Sequence, residues 1–165
     1  MLTFGILGRV GSRVPVIALF PHDILGGDLS GLSSELSTSL TSALTATFED
    51  RLGVVGPTGA SALGGPNDMA GVQEALGACL ALTGSVSAMA NDPTRAIVFT
   101  QVVRTSDRVQ LWAASDTLPT ADAVTLALPT IVAGVREALG GCREGRPGTR
   151  RRDTVEIDGS GATPL

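Results

Sequence analysis

Apolar positions along this chain change period several times, and each change marks an element. Residues 14–20, VPVIALF, form an unbroken β-branched and apolar run closed by Pro21, as expected of a strand buried on both faces. The PHDILGGD that follows reads as turn chemistry. From a cap at Asp28 or Ser30, Leu32, Leu36, Leu40, Leu44 and Phe48 recur at four-residue steps with Ser and Thr between them, which predicts a long amphipathic helix covering a sheet. The apolar LGVV at 52–55 predicts a second short strand.

Farther along, Met69, Val72 and Leu76 share a helical face between a cap at Asn67 and a stop at Gly77. The run CLALTGSVSAM (79–89) changes to a period of two. Leu80, Leu82 and Val86 point one way and Thr83, Ser85 and Ser87 the other, so a half-buried strand is predicted. RAIVFTQVVR (95–104) and RVQLWAAS (108–115), joined by the polar TSD, predict a β-hairpin turning at Ser106 and Asp107. Val124, Leu128, Ile131, Val135 and Leu139 give a last helix over 121–139, with Pro129 expected to kink it or to open a second piece. The predicted order is β-α-β-α-β-β-β-α, an α/β fold with a mixed sheet packed by amphipathic helices. It divides the chain into an N-terminal segment (1–13), one domain (14–140) and an Arg- and Gly-rich tail (141–165) with little to bury, expected to be disordered.

The stretch LGVVGPTGASALGGPN (52–67) passes from strand through glycines to a helix start, the layout used by phosphate-binding loops. It lacks the closing Lys-Ser/Thr of a P-loop, and GILGRVG (5–11) has the wrong glycine spacing and precedes its strand. Neither is a nucleotide fingerprint. What the loop retains is a set of backbone amides at 58–66 and the helix start at Asn67, which would suit a small anion.

Composition narrows the chemistry further. The chain has 165 residues, 43% apolar and 17% charged, enough for one domain with one core. All twelve basic residues are arginine, so Schiff-base chemistry and a lysine general base are excluded. With four Phe, one Trp and no Tyr, a stacking platform for single-stranded nucleic acid is not expected. Net charge is −4, and residues 1–140 hold seven Arg against twelve acids, which disfavours a duplex-binding face. The tail cluster Arg146, Arg150, Arg151 and Arg152 reads as solvated, with weak anion contact as its alternative. MLTFGILGRVG has no basic leader or cleavage site, and neither a signal peptide nor a membrane span is read there.

Side chains that carry chemistry are few. His22 beside Asp23 is the only histidine, without a second ligand at metal spacing, and reads as a turn residue. Glu49, Asp50 and Arg51 read as a solvated helix end. Cys79, inside a strand, and Cys142, just past a helix, leave a structural bridge open without implying one. Trp112 reads as core or as an interface anchor. No catalytic set, metal site or cofactor site is expected.

Taken in order, VIALFPHDILGGD, GLSSEL, RLGVVGPTG, LTGSVSA and FTQVVRTSDRVQLWAAS, followed by an amphipathic helix, resemble the TolB amino-terminal-like domain over residues 14–140. That module accompanies bacterial class III adenylate cyclases, winged-helix regulators and tetratricopeptide signalling proteins, and is similar in fold to FlgO and CsgG-type lipoprotein modules. The chain departs from it at Leu-Phe-Pro-His, where relatives more often read Leu-Pro-Phe, and in the glycine- and alanine-rich loop after the second strand. The resemblance implies structural roles for Gly84 and Ser85, where something packs close, and for Leu111, Trp112 and Ala113 as a hydrophobic plug. It also implies a non-enzymatic regulatory or protein-interaction domain of a bacterial signalling or transcription-control protein. Trp112, Phe99, Thr58, Gly59 and Asn67 are the candidate interaction residues, a protein partner or self-association is expected, and the expected setting is cytoplasmic, with a periplasmic one as the alternative should a signal lie upstream. The alternative is a sensor binding an anionic metabolite or nucleotide at 56–67, and an envelope lipoprotein module is a third reading.

Overall fold

The computed structural model describes residues 14–62 and 66–144. The chain runs β1 (Val16–Leu19), β2 (Asp23–Gly26), α1 (Ser30–Phe48), β3 (Gly53–Val55), α2 (Pro57–Ser61), α3 (Met69–Leu76), β4 (Leu80–Met89), β5 (Asp92–Arg104), β6 (Gln110–Pro119), α4 (Ala123–Ala138) and α5 (Gly141–Glu144). One mixed sheet has the order β3-β1-β4-β5-β6. Its first three strands are parallel, β4, β5 and β6 form an antiparallel meander, and β2 runs parallel to β4 beyond the end of β1.

The apolar stripe of α1 lies on one face of the sheet, as its spacing predicts. Leu36, Leu40, Leu44 and Phe48 are buried beside Ile17, Leu19, Leu80, Leu82, Val86, Val98 and Val102, and α4 completes this core with Ala127, Ile131 and Val135. Each such side chain removed from water contributes about 1.5–3 kcal/mol. The opposite face carries a smaller core in which Ala60, Met69, Val72 and Ala78 cover Ala18, Phe20 and Ala81. Gly77 stops α3 at φ 63° with its N–H bonded to the Gln73 carbonyl, the left-handed cap that glycine adopts without strain.

Several expectations change in three dimensions. Asp23–Gly26 is a strand rather than a turn. β4 is ten residues long against four in β1, and β2 pairs with the length of β4 that β1 leaves bare. The cap of α1 falls on Leu29 without a side-chain bond, while Ser30 donates to Asp28 instead. Asp68, not Asn67, caps α3 by accepting the Gly71 N–H at 2.9 Å. Residues 57–61 of the glycine loop form α2, and α4 runs through Pro129 as one helix with that proline on its exposed side.

The boundary at 140 also moves. Gly141–Glu144 is helical, and Cys142 is joined to Cys79 by a disulfide across a separation of 63 residues. Residues 1–13 and the arginines at 146, 150, 151 and 152 lie outside the described residues.

Candidate functional site

β4 and β5 are long enough to extend past the helices that cover the second face of the sheet. α2 and α3 pack on β1, and the cover on that face reaches Ala81, Thr83 and Val103, whereas Ser85, Ile97, Phe99, Ser115 and Thr117 farther along β4, β5 and β6 are half-buried or exposed. Strand alternation assigns its residues. In β5, Ala96, Val98, Thr100 and Val102 are buried toward α1 and α4, so Ile97, Phe99 and Gln101 point to the open face. The ladder then sets Ser85, Phe99 and Ser115 in one row and Ser87, Ile97 and Thr117 in the next, with Asp23 of β2 extending the first.

Phe99 and Ile97 are half-buried, while Ser115 and Thr117 are exposed. Polar groups border this apolar pair. Gln101 donates to the Thr83 hydroxyl at 3.0 Å, and the Arg95 guanidinium donates to the Thr117 carbonyl at 3.1 Å. An apolar centre with a polar border and no titrating nucleophile is suited to docking a protein surface rather than to bond chemistry.

The other candidate residues fall elsewhere. Trp112 pairs with Val102 and therefore faces α4, on the side opposite Phe99. A Cβ on Gly134 would run into its indole, so helix and ring approach closely only because position 134 is glycine. Thr58 borders an open groove of about 420 Å³ between α1 and α2, with Pro21, Ser34, Ser37, Thr38 and Thr41. Thr38 and Thr41 donate to carbonyls one turn back in α1, at 3.0 and 2.8 Å, so their protons are already committed. Gly59 packs against Val55, and the Asn67 carbonyl accepts from Arg108 at 3.2 Å. The Asp68 carboxylate occupies the first turn of α3, at the helix start where the sensing alternative would seat an anion.

His22 is the residue that sequence reasoning misplaced. It is 3% exposed and lies in the main core rather than in a surface turn. Its Nε2 is 2.9 Å from the Thr100 hydroxyl, its carbonyl accepts from Ser33 at 2.7 Å, and its Nδ1 is buried without a partner. Burial lowers its pKa from 6.5 to about 4. The ring rests on Gly84, where a Cβ would overlap it and the Phe99 carbonyl. This is the close approach implied for Gly84, and the isolated glycine inside an apolar strand was its sequence signal. Among the described residues no group of three His, Cys, Asp or Glu side chains is placed to hold a metal ion, and no helix is long and apolar enough to cross a membrane.

The architecture is that of a small α/β domain with helices on both faces of a mixed sheet, and solved structures share it. The chain is similar to the LpoB C-terminal domain from Salmonella enterica (15% identity, 67% of this chain and 87% of that one, TM-score 0.50). Other similar structures are TolB from Acinetobacter baumannii (17%, 79% and 29%, 0.49) and the lipoprotein GNA1162 from Neisseria meningitidis (14%, 77% and 99%, 0.43). At these identities the likeness concerns the fold alone, and at a TM-score of 0.50 it is an LpoB-like fold. No family model and no curated protein matches the chain. The cytoplasmic expectation is corrected here, because Cys79–Cys142 is a disulfide, a bond that reducing compartments keep open.

Proposed function

We propose that this chain is a non-enzymatic protein-interaction domain of the bacterial envelope, docking a protein partner on the open sheet face around Phe99. The observation that carries this reading is the pair Phe99 and Ile97, set among serine and threonine on the face of β5 and β6 turned away from α1 and α4. An oxidising compartment agrees with the Cys79–Cys142 bridge. The lone histidine is held inside the core and supplies no accessible base, which favours binding over catalysis. A regulatory role in signalling or transcription control rests on the family resemblance alone. The sensing alternative has less support, because the helix start it would use already carries the Asp68 carboxylate.

The test compares the full chain with Phe99→Ser. Proteins captured from an envelope extract are identified, and the leading one is purified and titrated against both forms. A central aromatic anchor contributes about 2 kcal/mol or more, so binding should weaken about 30-fold with circular dichroism unchanged. Glu35→Ser, exposed on α1 away from this face, serves as the control. Equal affinity for the wild type and Phe99→Ser would remove the reading.

A further inference from the structure

The free edge of β6 carries a second surface, independent of the docking face. β6 ends the sheet, and no described strand pairs with its outer side. A bulge between Val102 and Val103 disturbs the ladder at its start, but from Trp112 to Leu118 the register to β5 is regular. Backbone N–H and C=O groups that no strand pairs form a template for another strand, and of those on this edge the Thr117 carbonyl already accepts from the Arg95 side chain. Natural edges are commonly blunted by charge, proline or shortness; within 112–118 the chain's own charge is Asp116, the Arg95 guanidinium sits on the Thr117 carbonyl, and Pro119 lies at the end.

The strand is complementary to itself in one antiparallel register. With a two-fold axis at Ser115, Trp112 opposes Leu118 of a second copy, Ala113 opposes Thr117, and Asp116 opposes Ala114. Moving the axis to Asp116 sets two carboxylates against each other, and moving it to Ala114 places Asp116 opposite Trp112. The Ser115 register therefore pairs the large apolar side chains with each other and keeps like charges apart. α4 adds to the same edge. Trp112 touches Gly134, and Thr130 and Leu126 continue that row at steps of four. Thr130 is exposed, and Leu126 is 49% exposed although large and apolar.

We propose that two copies of this chain join through their β6 strands in antiparallel register about Ser115, giving one continuous sheet with the two α4 helices side by side. The contact is isologous and closes as a dimer. It makes the two open faces continuous, so that Phe99 of each copy lies on one extended surface.

The experiment uses the full chain. Sedimentation over a dilution series should reveal a species of twice the 16.7 kDa chain mass. Emission from Trp112, the only tryptophan, should shift to shorter wavelength as that species forms. Both native cysteines are already paired, so an added thiol has only its own copy as partner. Oxidised Ser115→Cys should give a covalent dimer mapped to position 115, because this residue faces itself across the axis. Thr117→Cys, which faces Ala113, should not. A chain monomeric at every concentration, a dimer that neither variant cross-links, or equal cross-linking of both would overturn the proposal. None of these results bears on whether Phe99→Ser loses its partner, so the two readings fail separately.

Discussion

Acid should destabilise this protein through His22, in a pH window above that of Asp92 and Asp107. His22 is 3% exposed, and burial alone lowers its pKa from 6.5 to about 4. The unfolded chain returns the imidazole to water and to its ordinary pKa. Above pH 6.5 neither state binds the proton and His22 contributes no pH dependence. Between 6.5 and 4 the unfolded state takes up a proton that the core refuses, so stability falls as pH falls. Each pKa unit corresponds to about 1.36 kcal/mol, which gives about 3 kcal/mol lost by pH 4, a large part of a typical domain's 5–15 kcal/mol.

Asp92 and Asp107 titrate in a different range. Thr94 holds the Asp92 carboxyl below 3.8 by hydrogen bonds, and Arg104 does the same for Asp107. Their contribution is present above 3.8 and is lost on the acid side of it, beyond the His22 window. The assay is urea unfolding at intervals from pH 4 to 7.5 for the wild type and His22→Gln, whose amide still reaches toward Thr100 but does not titrate. The variant pays a fixed packing cost at every pH, so only the slopes are compared. The wild type should lose about 3 kcal/mol more than the variant across the window. Parallel curves would show that His22 is protonated in the native core and would refute the burial argument.

Two further outcomes follow from the packing. Reducing Cys79–Cys142 reopens a 63-residue separation, and the chain-entropy relation gives about 4 kcal/mol of lost stability. Thermal melts with and without a phosphine reductant measure it, and a change under 1 kcal/mol would mean that α5 is held by its other contacts. Gly134→Ala places a methyl group where the Trp112 indole lies, so an overpacking cost of about 1–3 kcal/mol is expected with a shift in tryptophan emission. Unchanged emission and stability would show that the ring moves freely away from α4.

Patterns within one element were legible in the sequence because they depend on a local period. The α1 stripe, the two sides of β4, the β5–β6 hairpin and the Gly77 stop all follow from spacing and backbone preference. The open face was legible in part: Phe99 could be singled out, but not that it looks away from Trp112. That separation depends on which side of the ladder each residue occupies once β5 and β6 are in register, and a bulge at Val102/Val103 sets the register at Trp112.

By itself, the sequence determined the α/β class, the main apolar faces and the absence of lysine chemistry, since each is a property of residues close together in the chain. The tertiary structure alone decided what depends on residues far apart. β2 is a strand because β4 outruns β1, His22 is a core residue because Gly84 makes room for its ring and Thr100 bonds it, and Cys79 meets Cys142 because α5 folds back to the start of β4. Each of these is fixed by a partner that becomes a neighbour only after the chain has folded.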